Sequence, residues 1–407
     1  MDRARAARLM AAARVDALLL ASPESFAYAT GAPAGVAANW RRLGPAIAVV
    51  LADPARPVGA VASDLFAAAA AGCEPLRIVP IWVETSDIRR FLPSDEPAGA
   101  LIARADAARG PGFRRPATFD RGEALLLLRE VVEAMGLSRA RIAVEFRAVP
   151  AADAPALAAA LPDAVLTDGS HLLDRLRAVK SPREIALLRE AGAITEAALE
   201  ALIPAIRAGA TRAELGRAFL AEVAARRASA PLTAWEYVGF GPSPWSTRDP
   251  LQPGDVLKAD VGAVVGGYTA DLARSFTLGP APRHARELHA ALLAGFRAGR
   301  PLFRPGARLA DIHRTVIAAV HDAGFPTYAR GHFGHGLGAS IWSEEWPYTA
   351  ADSEAVLEPG MVMAFETPWY VDGIGGVIIE DMLLVTEDGA ETLAGAGLPH
   401  DLIELPA

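Results

Sequence analysis

The sequence predicts two domains, an α/β domain followed by an α+β domain, and three observations predict it. The chain has 407 residues, more than one ordinary core accommodates. Over its first part, short apolar runs of strand length alternate with helical patterns. Over its second part, helical stretches give way to a pair of hairpins that resemble each other. The short polar stretch Leu166-Thr167-Asp168-Gly169-Ser170 separates the two, giving domains over 1–168 and 169–407.

In chain order, the Ala/Arg-rich segment Asp2 to Ala13 reads as a helix and Asp16–Leu20 as a strand. Strand-like apolar runs recur at Ala46–Leu51, Ile78–Trp82 and Arg141–Val144. Helical patterns fall at Ser63–Ala71, Glu123–Met135 and Ala154–Ala160. Such alternation is that of a largely buried sheet covered by helices. The second domain opens with a helix from about Ser181. There Ser181-Pro182-Arg183-Glu184 offers Ser at the N-cap, Pro at the first helical position and Glu at the third. A further helix runs over Arg212–Arg226.

Composition excludes several function classes. Apolar residues make up 52% and charged residues 22% of the chain, a globular balance. The net charge is −8 and no basic face is clustered, so no nucleic-acid partner is expected. No apolar run is long enough to span a bilayer or to form a signal-peptide core, so a cytoplasmic protein with no membrane partner is expected. Nearly all basic residues are Arg, Lys180 and Lys258 being the two lysines; we give that skew no functional weight. Cys73 is the single cysteine, which rules out an intrachain disulfide and a thiolate metal cluster. A metal site here must be built from oxygen and imidazole.

Leu251-Gln252-Pro253-Gly254-Asp255-Val256 is matched by Leu357-Glu358-Pro359-Gly360-Met361-Val362. Asp260 follows the first motif and Glu366 the second at the same spacing; each unit then turns through glycines and returns with a second acid, Asp271 or Glu380. A two-residue turn at Gly266-Gly267 sets Asp260 opposite Ala273 and Asp271 opposite Gly262; shifting the turn by one sets the two acids opposite each other. Either register puts both on one face. Glu366 and Glu380 share a face if their loop has odd length. Carboxylates gathered on a buried face repel and are desolvated, and a divalent cation removes both penalties. Gly331-His332-Phe333-Gly334-His335-Gly336-Leu337-Gly338 supplies imidazole. Four oxygen ligands and one imidazole suit Mn, Fe, Co or Zn, and two such ions can share bridging carboxylates.

These residues resemble the pita-bread metallopeptidases, the family of methionine aminopeptidase, aminopeptidase P, prolidase and the metal-free creatinase. The resemblance rests on Asp260-Val261-Gly262, Asp271-Leu272-Ala273-Arg274-Ser275, Gly334-His335-Gly336-Leu337-Gly338, the second Pro-Gly motif through Glu366, and Gly375-Gly376-Val377-Ile378-Ile379-Glu380-Asp381. Asp16-Ala17-Leu18-Leu19-Leu20, Tyr28-Ala29-Thr30-Gly31 and Leu176 to Ile185 resemble the creatinase/prolidase branch. The resemblance implies a creatinase-like α/β N-terminal domain and a pita-bread catalytic domain, working as a homodimer on a small peptide. It implies two divalent ions bridged by Asp271 and Glu380, with Asp260 completing one and His335 and Glu366 the other. Glu366 would be general base for the bridging water, whose hydroxide would attack an amide carbonyl, in an Xaa-Pro aminopeptidase or prolidase. Arg274 would pair with a site carboxylate and orient it.

The chain departs from the family at two places. The region Gly239 to Arg248 lacks the family's upstream histidine, and Ile341-Trp342-Ser343-Glu344-Glu345-Trp346-Pro347 lacks its His-Glu pair. Trp245, Trp342 and Arg248 are candidates for that space, the tryptophans as substrate contacts or as core. His332 is the nearby imidazole for proton transfer, or a structural residue beside its glycines. Glu344 and Glu345 are expected to be exposed. The departures keep open a second function, a C–N hydrolase or lyase acting on a small non-peptide substrate. A third is a non-catalytic binding protein that has kept the fold.

Overall fold

The computed structural model describes residues 1–35, 42–81, 86–108, 119–245, 248–340 and 344–407. The chain divides into two compact units, Met1–Leu173 and Asp174–Ala407.

The first unit is built on β1 (Ala17–Leu20), β2 (Ala46–Leu51), β3 (Gly59–Ser63), β4 (Leu76–Val79), β5 (Arg141–Val144) and β6 (Val165–Asp168). They form one mixed sheet in the order β4-β3-β2-β1-β5-β6. β1 and β3 are buried along their whole length, which explains why Ala17-Leu18-Leu19-Leu20 reads as a continuous apolar run rather than an alternating one. Buried Glu145 ends β5. It accepts bonds from the backbone of Ala21 and Ser22 and from the hydroxyls of Ser22 and Ser25, all between 2.7 and 2.9 Å, and so secures the start of the helix Pro23–Thr30.

Three readings need correction. Ser63–Ala71 is not a helix: Ser63 ends β3, and a 3-10 turn over Ala67–Ala70 follows. The small residues of Gly59-Ala60-Val61-Ala62 hide a strand that pairing with β2 and β4 enforces. The third apolar run forms a strand over Leu76–Val79, and Trp82 lies outside the described residues. Leu166-Thr167-Asp168 is no connecting stretch but part of β6, pairing in parallel with β5.

The second unit carries β7 (Leu232–Phe240), β8 (Val256–Val265), β9 (Tyr268–Thr269), β10 (Leu272–Leu278), β11 (His332–Gly336), β12 (Glu345–Ala350), β13 (Val362–Glu366), β14 (Trp369–Val371), β15 (Gly375–Val377), β16 (Glu380–Val385), β17 (Ala390–Ala394) and β18 (Ile403–Leu405). The main sheet runs β12-β11-β13-β16-β10-β8-β7, with β17 beside β16, β18 beside β10 and β9 beside β8; β14 and β15 form a small separate ribbon.

Read from its centre, this order is symmetric. β16 and β13 on one side correspond to β10 and β8 on the other. The helices Pro182–Leu202 and Arg212–Ala224 supply Leu188, Leu199 and Phe219 to a core shared with Val261 and Phe276. The helices Arg283–Gly299 and Leu309–Asp322 supply Phe296 and Val316 to a core shared with Phe365 and Leu383. The repeated Pro-Gly motifs occupy equivalent places. Gly254 and Gly360 both have φ of 87°. Gly254 N–H donates to Leu278 at the end of β10 (2.7 Å) and Gly360 N–H to Val385 at the end of β16 (2.8 Å). The near-repeat of the sequence is therefore a repeat of structure. The first helix begins as its sequence predicts, Ser181 and Glu184 forming a reciprocal capping box with Pro182 at the first helical position.

Candidate metal centre

Strand register brings the acids together. Gly266 and Gly267, at φ 59° and 84°, make the two-residue turn, and Val264 pairs with Thr269 and Val265 with Tyr268 on either side of it. Asp260 then lies opposite Ala273. Ala273 pairs on its other side with Glu380, and Glu380 with Glu366. One row of directly registered residues thus crosses four strands: Asp260, Ala273, Glu380, Glu366. Registered neighbours point to the same face, and Ala273 is the small residue that leaves space between Asp260 and Glu380. Asp271 lies just before β10, where the ladder with β8 is interrupted. His335 enters from β11, whose Gly336 pairs with Met363 of β13.

Asp271, His335 and Glu380 form a buried group whose ligand atoms lie within 4.8 Å of one another. His335 Nε2 faces Asp271 Oδ2 at 3.7 Å. Its Nδ1 is 3.2 Å from the Gly336 carbonyl, an acceptor, so Nδ1 carries the proton and Nε2 is left as the ligand nitrogen. Burial, followed by Asp271, Asp260 and Glu366, holds Glu380 well above the usual carboxylate range. Burial also raises Asp260 and Glu366 adds to it, while Lys258 acts in the opposite sense. Four carboxylates so placed have the chemistry of a divalent-cation site, and the donor set of oxygens and one imidazole fits such an ion.

Cations reach the outer two acids. Lys258 Nζ donates to Asp260 Oδ2 at 3.2 Å. Arg330 Nη2 donates to Glu366 Oε1 at 2.9 Å while its Nε donates to the His332 carbonyl. Burial works against the charge on Lys258, but Asp260, Tyr370 and Glu380 hold it above its ordinary value. Neither Lys258 nor Arg330 was assigned a role from sequence. The signal for Lys258 was present: it stands two residues before Asp260 on one strand and so shares its face. Arg330 gave no comparable signal, because Glu366 is remote in the chain.

His332 lies 3.5 Å from Glu366 Oε1 through Nδ1, which also accepts from the Gly334 N–H at 3.2 Å. An accepting Nδ1 places the proton of the neutral ring on Nε2. Burial lowers the pKa of His332, with Glu366 opposing. Arg274 is fully buried and donates to Asp381 Oδ1 (2.8 Å), to the carbonyls of Ala273 and Glu380, and to those of Gly395, Leu398 and Pro399. Its carboxylate partner is thus Asp381, the neighbour of Glu380, and it holds Glu380 through the main chain. His400 Nε2 lies 3.0 and 2.9 Å from the two Asp381 oxygens.

Of the aromatic candidates, Trp245 is 72% exposed and its ring lies 4.8 Å from that of Tyr370. Tyr370 is 5.8 Å from Lys258 Nζ, so Trp245 connects to the centre through one ring and one ammonium. The loop bearing Trp245 is fastened to the β14–β15 turn by Ser243 Oγ on Asp372 (2.6 Å) and Gly373 N–H on the Pro242 carbonyl (2.7 Å). Trp342 lies outside the described residues. Arg248 Nη2 grips both Asp255 oxygens at 2.6 Å and its Nη1 binds the Pro250 carbonyl, so its guanidinium is engaged at the start of β8. Glu344 is exposed as expected, whereas Glu345 is half-buried and paired with Arg177, which compensates its charge.

Comparison with known proteins points to one family. Residues 186–387 match the family model of metallopeptidase family M24. The probable dipeptidase PepE of Mycobacterium tuberculosis is 32% identical over 248 residues, 58% of this chain and 63% of that protein. The match thus spans less than two thirds of that relative. The Xaa-Pro dipeptidase of Pyrococcus furiosus is 28% identical over 222 residues, 54% of this chain and 63% of its own length. In structure, the dipeptidase PepE of Mycobacterium ulcerans superposes with a TM-score of 0.75 at 24% identity, covering 100% of this chain and 97% of that one. The fold is therefore the two-domain pita-bread architecture. With residues 186–387 matching the family model, this chain carries a domain of metallopeptidase family M24.

Proposed function

We propose that this chain is a divalent-metal-dependent peptidase that hydrolyses short peptides, Xaa-Pro dipeptides among them. The observation that carries the reading is the convergence of Asp260, Asp271, His335, Glu366 and Glu380 on adjacent strands of one sheet. The names of its relatives, a probable dipeptidase and an Xaa-Pro dipeptidase, favour the substrate class. Asp271, His335 and Glu380 would hold an ion such as Mn, Fe, Co or Zn. In the family resemblance Glu366 joins His335 at that ion, and Asp260 completes a second one bridged by Asp271 and Glu380. A bound divalent ion supplies Lewis acidity and makes water a competent nucleophile near neutral pH.

The protein residues supply the rest. Hydrolysis adds water across the amide C–N bond, so one proton must leave the water and one must reach the departing nitrogen. Glu366, fixed at Oε1 by Arg330, is the proton acceptor through its other oxygen. We assign proton donation to the leaving nitrogen to His332. It gives up its Nε2 proton as Nδ1, 3.5 Å from Glu366 Oε1, takes up the proton that Glu366 has accepted, so that the ring ends neutral. Trp245 and Tyr370 form an aromatic platform for a substrate side chain.

The test is product release followed by mass spectrometry. Mn-loaded protein is offered a panel of Xaa-Pro and other dipeptides and tripeptides, with Glu366→Gln as control. Release that disappears in the control supports the reading. No release from any peptide, by protein that binds metal, would transfer the centre to the second function, a small non-peptide C–N compound. The lack of any histidine between His171 and His284, where the family places one, favours that alternative.

A further inference from the structure

We propose that Lys258 is a built-in counter-cation that sets the metal count of this centre. One divalent ion is held tightly by Asp271, His335 and Glu380, and the Lys258 ammonium keeps Asp260 from completing a site for a second. The proposal rests on the metal-centre reading given above and departs from the two-ion expectation.

Three observations carry it. The first is contact. Lys258 Nζ lies 3.2 Å from Asp260 Oδ2, and a charged ammonium offers three donors and no lone pair. It competes with a metal for Asp260 and cannot itself be a ligand. The second is that the side chain is enclosed. Lys258 pairs across the ladder with Gly239, and a Cβ at Gly239 would stand 3.9 Å from Lys258 Cγ. Farther along the stem, a Cβ at Gly376 would stand 3.4 Å from Lys258 Cδ. The stem thus runs past two residues without side chains, and only 11% of the side chain is exposed. A compact ammonium occupies this enclosed place, and a guanidinium is not interchangeable with it at a crowded site.

The third observation is charge. Lys258 and Arg330 meet Asp260 and Glu366, the two carboxylates outside the group Asp271, His335 and Glu380. Four carboxylates and two cations leave two negative charges, which a single divalent ion neutralises. A second ion would leave the buried centre with an excess of positive charge, which burial disfavours.

The proposal is tested by metal counting and by electron paramagnetic resonance, both independent of turnover. The full-length protein is incubated with excess Mn²⁺ and desalted. Its manganese is measured per chain, and its spectrum distinguishes isolated ions from exchange-coupled pairs. Wild type is expected to retain one ion per chain, with the six-line spectrum of isolated Mn²⁺. Lys258→Met, which keeps the stem and removes the charge, is expected to retain two, with a coupled spectrum. Asp260→Asn is expected to stay at one.

Two ions per chain in wild type would overturn the role of Lys258 and leave the metal centre standing. One ion in folded Lys258→Met would do the same. If that variant fails to fold, Asp260→Asn decides: loss of the ion places Asp260 in the tight site and ends the proposal, and retention supports it. Wild type with no ion would remove the centre and the proposal together.

Discussion

Glu366 and Glu380 are direct cross-strand partners on β13 and β16, and both are buried. Two carboxylates in that relation repel unless a cation or a proton intervenes. In the absence of a divalent ion, the proton is the remedy, and Glu380 is accordingly held well above the usual range by burial and its acidic neighbours. Its folded-state pKa is therefore raised over the unfolded one. This contribution to stability is fully present below the ordinary carboxylate pKa and is lost as pH rises through the raised value. A metal ion acts in the opposite sense, because its ligands must be deprotonated. The rise in melting temperature produced by Mn²⁺ should therefore grow from about pH 5 to about pH 8. Differential scanning calorimetry with and without chelator measures it. An increment that shrinks as pH rises would contradict this account.

Arg330 fixes Glu366 at 2.9 Å while also holding the His332 main chain. It touches two residues to which we assign proton transfer, so its replacement should disturb their placement rather than peptide affinity. Arg330→Ala is expected to lower kcat roughly 10- to 100-fold with KM little changed. Arg330→Lys should recover part of the loss, since it restores the charge without the two-directional fork. Steady-state kinetics of both variants, with the metal content checked, make the comparison. A rise in KM at constant kcat would move Arg330 to substrate binding.

Arg274 is fully buried against Asp381 and five main-chain carbonyls. Burial opposes the charge on Asp381, yet His400 and Arg274 hold its pKa below the usual range. Removing the guanidinium leaves a buried carboxylate with His400 and the peripheral Arg300. Arg274→Met should cost about 3–5 kcal/mol, the range for breaking a buried pair by removing one partner, read by urea denaturation of the metal-free protein. A loss below about 1 kcal/mol would show that Arg300 and His400 compensate.

How much of this was legible in the sequence depends on how local each relation is. The register of Asp260 against Ala273 follows from Gly266-Gly267, and the capping box at Ser181 from four consecutive residues; both are short-range facts. The duplication is legible because the two Pro-Gly motifs sit at the same spacing from their acids. β3 escaped because Gly59-Ala60-Val61-Ala62 lacks strand propensity and is a strand through its neighbours; β6 escaped because its four residues run directly into the turn-forming Asp168-Gly169-Ser170, and pairing with β5 makes it a strand. The contact of Arg330 with Glu366 joins β13 to the segment leading into β11, and periodicity does not carry information across that separation. Lys258 is the intermediate case: its shared face with Asp260 is local, but the enclosure of its stem beside Gly239 and Gly376 is not.

Trp245 offers a test of the substrate face. It is 72% exposed, and the ring contact described for it is the one with Tyr370, at 4.8 Å. A side chain so placed contributes little to folding, and Trp245→Ala should alter stability by no more than about 0.5 kcal/mol. If Trp245 and Tyr370 form a platform for the substrate, the same variant loses apolar contact made equally in the ground and transition states. Uniform binding of that kind appears in KM and not in kcat. The expected result is a KM raised several-fold for dipeptides with a large apolar residue, an unchanged kcat, and a smaller effect on Gly-containing peptides. The dependence on substrate size is the discriminating part, since a general loosening of the loop that Ser243 and Gly373 fasten would affect all peptides alike. A melting temperature lowered by several degrees with KM unchanged would assign Trp245 to loop packing instead.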